Sequence, residues 1–353
     1  MGGNMVSRER AISTVMDVCL ALLIISATVA LVGVYLHDET RSIDGDRGDQ
    51  AMQTLSGSTV TITYDLDAPN ETGHAATDSD NYELPENLTP DDVAELYEVT
   101  TYGSATDLLG EAALSNLRID GTELFAYGHE VERSVEAAIG DRLVGSEGSV
   151  YAVATWEPYD GAGINGTATA GTRPPATADV SSATTTVSSN VPAIEPDELA
   201  ASFDQDSPDG SGIEDGFDLA AEHVADAILE GYFPPAGTQY TLESSLSEQA
   251  VTLYNYRQVA DAVGVDVDDR ITGIEPDVVG ANDRIADDPR DDEGLTALVA
   301  DDLRNSSAGD EIQSTYDAFG GDPDPDEQAE LAETFERVVT PETIDVTVQT
   351  WDQ

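Results

Sequence analysis

From Val18 to Leu36 the chain runs through nineteen residues without a charge (VCLALLIISATVALVGVYL). A helix needs ~20 apolar residues to cross a bilayer. The run extends back to Ala11 if Asp17 lies near the interface. Downstream, apolar positions recur at two shorter periods. Thr59 to Tyr64 alternates strictly, which predicts a half-buried strand with Val60, Ile62 and Tyr64 inward. Ser104 to Leu117 reads as a helix, started by the Ser104/Asp107 cap and lined by Leu108, Leu109, Ala112, Ala113 and Leu117. A second helix spans about Glu130 to Val144, with Val131, Val135, Ala138, Ile139 and Leu143 on one stripe.

Val150 to Trp156 is strand-like, rich in β-branched and aromatic residues. Gly166 to Thr172 and Ala178 to Ser188 flank the Arg173-Pro174-Pro175 break. The Ser/Thr-rich second segment reads as strand, with mucin-like linker the competing reading. Residues 66 to 90 and 204 to 216 have loop composition. Helices follow at Phe217 to Tyr232, stopped by Gly231 and Pro234, and at Leu246 to Val263, stopped by Gly264. Shorter ones fit Leu295 to Leu303 and Ala329 to Val339, and Ile344, Val346 and Val348 close the chain as an alternating strand. The expected fold class is therefore α+β. An N-terminal transmembrane helix precedes one ectodomain of mixed sheet and amphipathic helices, whose last strand returns to the sheet. The expected divisions are a cytoplasmic N-terminus at 1–10, a membrane helix at 11–36, a stalk or helical continuation at 37–56, and an extracellular domain at 57–353.

Charge changes this picture most. Of 353 residues, 71 are acids and 14 are basic, a net charge of −57, and all 14 basic residues are arginine. Nucleic acid is excluded as a partner, because it is held mainly by cations neutralising phosphates. A charge this large can mark disorder, but 40% hydrophobic residues at regular spacing argue for a packed core. The reading that joins both facts is a halophilic protein. At 1 M salt the Debye length is ~3 Å, and repulsion between exposed carboxylates is screened. One cysteine, Cys19, excludes an intramolecular disulfide and a multi-cysteine metal site.

Arg8 and Arg10 precede the apolar run and His37-Asp38-Glu39 follows it, so the positive-inside rule puts the N-terminus in the cytoplasm and the rest outside. Thr28-Val29-Ala30 offers a signal-peptidase site, the competing reading, but Leu31 to Leu36 continue the run beyond it. The stretch Arg10-Ala11-Ile12-Ser13-Thr14-Val15, leading into the apolar run, resembles the N-terminus of haloarchaeal type IV pilin-like proteins. That resemblance implies a leader processed after Ala11 and Asp17 as an assembly residue. Blocks at Ile12 to Val18, Trp156-Glu157-Pro158-Tyr159, Gly231-Tyr232-Phe233-Pro234-Pro235 and Val346 to Trp351 resemble a haloarchaeal family of single-pass membrane proteins. Its genes tend to lie beside those for a pilus-type secretion ATPase and membrane platform. The resemblance implies an accessory or pilin-like part of a pilus or secretion machine at the cell surface. Its partners would be the lipid bilayer through residues 11–36 and other machine subunits. The alternative is a solitary anchored domain that binds an envelope ligand.

Catalytic signatures are missing from the sequence: it has no nucleophile elbow, phosphate loop, His-Glu-x-x-His or dinucleotide fingerprint. The histidines His37, His74, His129 and His223 are scattered, and His223, with Asp226 three positions on, falls on the polar face of its helix. Asp322-Pro-Asp324-Pro-Asp326 with Glu333 has calcium-loop spacing, but Glu327 stands where the turn needs glycine, so an acidic helix start is expected instead. No enzyme activity and no cofactor are expected. The sequons at Asn70, Asn87, Asn165 and Asn305 fall in expected loops or helix ends, on the side where glycosylation occurs.

Overall fold

Alternation of small or β-branched residues with polar ones builds one face of a six-stranded antiparallel sheet, in which the strand at 343–351 lies next to one edge. In this computed structural model the described residues are 47–66, 98–119, 121–143, 149–203, 212–244, 246–272, 275–287, 294–319 and 323–352. The strands are β1 (Thr59–Asp65), β2 (Glu98–Ser104), β3 (Leu117–Ile119), β4 (Thr122–Glu123), β5 (Ser149–Trp156), β6 (Ile164–Gly171), β7 (Val180–Ser188) and β8 (Thr343–Trp351). The main sheet has the order β4-β3-β6-β5-β8-β7, and β1 and β2 pair separately. The last strand thus returns to the sheet, between β5 and β7. The expected α+β class holds.

The inner face is small and apolar. Ala152, Ala154 and Trp156 of β5, Ile164, Ala168 and Ala170 of β6, and Ile344, Val346 and Val348 of β8 are all buried. Helix α2 (Ala105–Ser115) lies on this face, following the helix at residues 47–57, α1. The contact is close: a Cβ at Gly166 would stand 2.2 Å from the Ala113 carbonyl oxygen, so glycine alone fits there. Ser104 caps α2 by accepting from the Asp107 N–H, as the sequence predicts. The helix stops at Ser115, though, and Leu117 opens β3 instead of closing the helix.

Helix α3 (Gly128–Leu143) runs beside β6, burying Val131, Val135 and Ile139. The remaining helices are α4 (Pro196–Ala201), α5 (Gly212–Tyr232), α6 (Pro235–Ser244), α7 (Leu246–Ala262), α8 (Asp268–Ile271), α9 (Val278–Ala286), α10 (Leu295–Asn305), α11 (Ser307–Phe319) and α12 (Pro325–Val338). α5 is the hub of the helical part, packing on α10 and α9, with Phe217, Ala221, Val224 and Ile228 buried. Gly264 closes α7 with φ +77°, the left-handed turn expected of a helix-ending glycine.

Two boundaries depart from the sequence reading. Part of the expected stalk belongs to the domain: in α1, Met52 and Leu55 are buried in the common core, and Gly48 N–H donates to Ser181 Oγ of β7. The loop expected over 204–216 gives way to helix at Gly212. The expected strand over Ala178 to Ser188 is present as Val180–Ser188, paired along its length with β8. The expected membrane helix at 11–36 and the processing site after Ala11 lie outside the described residues. Among the described residues no helix is long and apolar enough to cross a membrane.

Candidate functional site

The Trp156–Tyr159 and Tyr232–Phe233 blocks meet where β5 leaves the sheet. Trp156 is fully buried, and its Nε1–H donates to the Pro341 carbonyl at 2.8 Å. Ser189 Oγ donates to the same oxygen at 2.6 Å. The next residues clip onto the link between α12 and β8: Tyr159 pairs with Val339, and Asp160 N–H donates to the Val338 carbonyl. Tyr159 is also buried, and its hydroxyl donates to Asp302 Oδ2 at 2.6 Å, an oxygen that also receives Gly163 N–H at 2.7 Å.

The Tyr232-Phe233 block arrives from the end of α5. The Tyr232 ring meets Trp156 edge-on, with centroids 6.2 Å apart, and its hydroxyl donates to the Leu114 carbonyl at the end of α2. Phe233 stacks on Tyr256 at 3.8 Å, and its carbonyl accepts from Asn282 Nδ2. Trp351, in the closing block, is buried on β8. The separated downstream blocks that carry the family resemblance are therefore packing junctions.

Several phenols crowd the same region. Burial raises the Tyr64, Tyr127, Tyr232, Tyr254 and Tyr256 hydroxyls above their ordinary value, with Glu111 adding to the effect at Tyr64 and Tyr127 at Tyr232. Each then favours the folded state while protonated. That contribution is present below the ordinary pKa of 10.0 and is lost as pH rises beyond it. With no lysine titrating in this window, an alkaline titration in molar KCl is expected to show a late tyrosinate absorbance step coincident with loss of near-ultraviolet circular dichroism. Complete tyrosinate formation with the fold intact would overturn this.

A second polar cluster lies at the free edge of β6. His129 sits between two carboxylates, Nε2 3.2 Å from Glu123 and Nδ1 3.6 Å from Glu132. Partial burial pushes Glu123 up, but Arg118, which donates to it, and His129 together hold it below the ordinary carboxylate value. The oxygens of Glu132 are committed: Oε1 accepts from Thr169 N–H and Oγ1–H, and Oε2 from Asn116 Nδ2. Asn116 Nδ2 also donates to the Thr167 carbonyl, and Glu136 accepts from Gly171 N–H. β6 is longer than its neighbour β3, and these side chains take up the backbone groups that would otherwise stand open. A carboxylate holding three hydrogen bonds has a structural task. Sequence spacing hides it, because Glu132, Asn116 and Thr169 come from three different elements.

The other candidate residues are spread apart. His223 is exposed on α5; Asp226 is raised by burial and by Glu222 and Asp283, with His223 acting the other way. Asp324 caps α12, accepting from Asp326 and Glu327 N–H while Glu327 accepts from Asp324 N–H, so this carboxylate works as a helix start. Among the described residues no group of three or more His, Cys, Asp or Glu side chains is arranged to hold a metal ion. Asp17, Asn70 and Asn87 lie outside the described residues.

Of the two remaining sequons, Asn305 is exposed at the end of α10, the expected kind of place. Asn165 is not in a loop: it is half-buried within β6, in register with Arg118 of β3, and its Nδ2 donates to the Ala162 carbonyl. Glycopeptide mass spectrometry on the native protein is expected to find glycan at Asn305 and none at Asn165. The reverse occupancy would refute the exposure argument.

A family of unknown function, DUF7284, matches residues 16–351. The chain belongs to the DUF7284 family. The match covers every strand and helix described above, so the junction around Trp156 and the edge cover around Glu132 both lie inside the family's domain. No curated protein and no solved structure matches the chain.

Proposed function

We propose that this DUF7284 member is a non-catalytic, single-pass envelope protein of a halophile, acting as an accessory or pilin-like component of a type IV pilus-like or secretion machine. The observation that carries the reading is the use to which the family-like blocks are put. Trp156, Tyr159 and Tyr232 bind strand ends to helices, and the prominent carboxylates Glu132, Asp302 and Asp324 each accept hydrogen bonds that hold backbone in place. Side chains spent in this way support a scaffold rather than a reaction centre. The uncharged run Val18 to Leu36 and the Arg8/Arg10 flank supply the anchor and its orientation. Asp17 is costly in the bilayer unless paired, and a neighbouring subunit's free amine after processing at Ala11 would provide the pair.

The topology is tested by protease treatment of intact cells, which is expected to remove a C-terminal tag and leave a short membrane stub; a fully protected tag overturns it. The assembly role is tested by deleting the gene. Loss of surface filaments or of a set of secreted proteins is expected, and an unchanged surface and secretome would reject the machine reading while leaving the anchor intact.

A further inference from the structure

Sheet edges expose unpaired N–H and C=O groups, and natural proteins blunt them with charges, proline, bulges or covering elements. The main sheet ends on β4, two residues long, and on β7, nine residues long. The free half of β6 is covered by Glu132, Glu136 and Asn116, as described above. β7 is treated differently. Its beginning is approached by α1 through the Gly48–Ser181 bond. Among the described residues its second half carries none of these devices.

The ladder phase shows which groups stand open. Ser189 N–H bonds to the carbonyl of Glu342, its opposite number in register. Counting back in twos, Val187, Thr185 and Ala183 face β8, and the N–H and C=O groups of Thr184, Thr186 and Ser188 point away from it. Among the described residues nothing pairs with those outward groups. Val180 to Ile194 also contains no Asp, Glu or Arg, in a chain where 71 of 353 residues are acids.

We propose that the segment Thr184–Ser188 of β7 pairs antiparallel with the same segment of a second copy of this chain, joining two six-stranded sheets across a twofold axis. The partner's chemistry follows from the edge. An uncharged ladder gives a basic partner nothing to bind, and the acids on the rest of the surface repel an acidic one. What fits is another uncharged strand edge, and a twofold axis makes this one complementary to itself and closes the assembly at two. Each copy brings a charge of −57, so the pairing needs concentrated salt to screen the approach. The inference stands on the sheet alone and does not rest on the pilus reading.

The test uses the full chain in detergent and molar KCl. Sedimentation velocity is expected to give twice the protomer mass. Thr186→Pro removes only an outward N–H, a substitution that strand edges tolerate, and is expected to return the mass to one protomer with near-ultraviolet circular dichroism unchanged. A wild-type protein that sediments as one protomer, or a pair that survives Thr186→Pro, overturns the proposal. A cysteine scan in a Cys19→Ala background covers the case in which the proline variant misfolds. Among Ser182→Cys, Thr184→Cys, Thr186→Cys and Ser188→Cys, oxidative cross-linking is expected to peak sharply at one position and fall away on both sides. Uniform cross-linking, or none, overturns it.

Discussion

Dialysis of a purified fragment from His37 onward, from molar KCl to millimolar salt, is expected to abolish its cooperative melt and its near-ultraviolet circular dichroism. From His37 onward the chain keeps 12 arginines and 69 acids, so removing the first 36 residues leaves the full −57. Screening makes the difference: the Debye length is ~3 Å at 1 M and ~30 Å at 0.01 M. Local crowding of like charge is already visible. Asp160 is raised by burial and by Glu311 and Asp345, and Glu111 by burial and by Asp107. The arginines answer only part of this. Arg47, Arg118, Arg133, Arg257, Arg270, Arg304 and Arg337 each meet a carboxylate, but surface pairs are worth only ~0.2–1 kcal/mol each. Most acids have no cation to meet. Self-repulsion at low salt then acts on a net stability of only ~5–15 kcal/mol. Arginine in every cationic position suits this surface, because guanidinium is weakly hydrated and pairs bidentately with carboxylate. A melting temperature unchanged between the two salts would show that folding does not depend on screening.

Trp156→Ala is expected to be the most damaging single substitution at the junction. The side chain is 0% exposed, lies against Tyr232, and donates to the Pro341 carbonyl that Ser189 also binds. Deleting a buried tryptophan costs ~3–5 kcal/mol, a large share of a domain's stability. Trp156→Phe separates the two contributions: it keeps most of the apolar surface and loses the indole donor, for a smaller cost of ~1 kcal/mol. Urea unfolding in constant molar KCl measures both, since urea leaves the ionic strength alone. Equal midpoints for wild type and Trp156→Ala would mean that the junction does not bind sheet to helices.

The sequence makes the sheet and the strongest helices legible because burial there is periodic. β8 shows apolar residues at 344, 346 and 348, and α5 shows them from Phe217 through Ile228, and both sets are buried as the spacing requires. Elements with few apolar anchors do not announce themselves. In α11 the buried residues are Ala308, Gly309 and Ile312, with Tyr316 and Phe319 only partly buried against the core, so tertiary packing more than its own pattern makes it helical. α6 is hidden by the Pro234-Pro235 pair, which reads as a stop although proline is well placed in a first turn. The junction was half legible, since its aromatic blocks stand out. Their partners Pro341, Leu114 and Asp302 do not, because each bond spans a long stretch of chain and leaves no local signature.

The position of β8 has a consequence for the order of assembly. Residues 343–351 form the strand between β5 and β7, so both neighbours are made first and wait for the same late segment. Contacts between residues so far apart close slowly, since the loop must be formed before any pairing offsets its entropy. As the chain is made, β5, β6 and β7 exist with a gap where the partner shared by β5 and β7 belongs, and Val346 and Val348 are not yet there to cover α2. The sheet cannot close on a partial chain. Until residues 343–351 arrive, β5 and β7 have no shared partner, and the six-stranded sheet closes only in that late step.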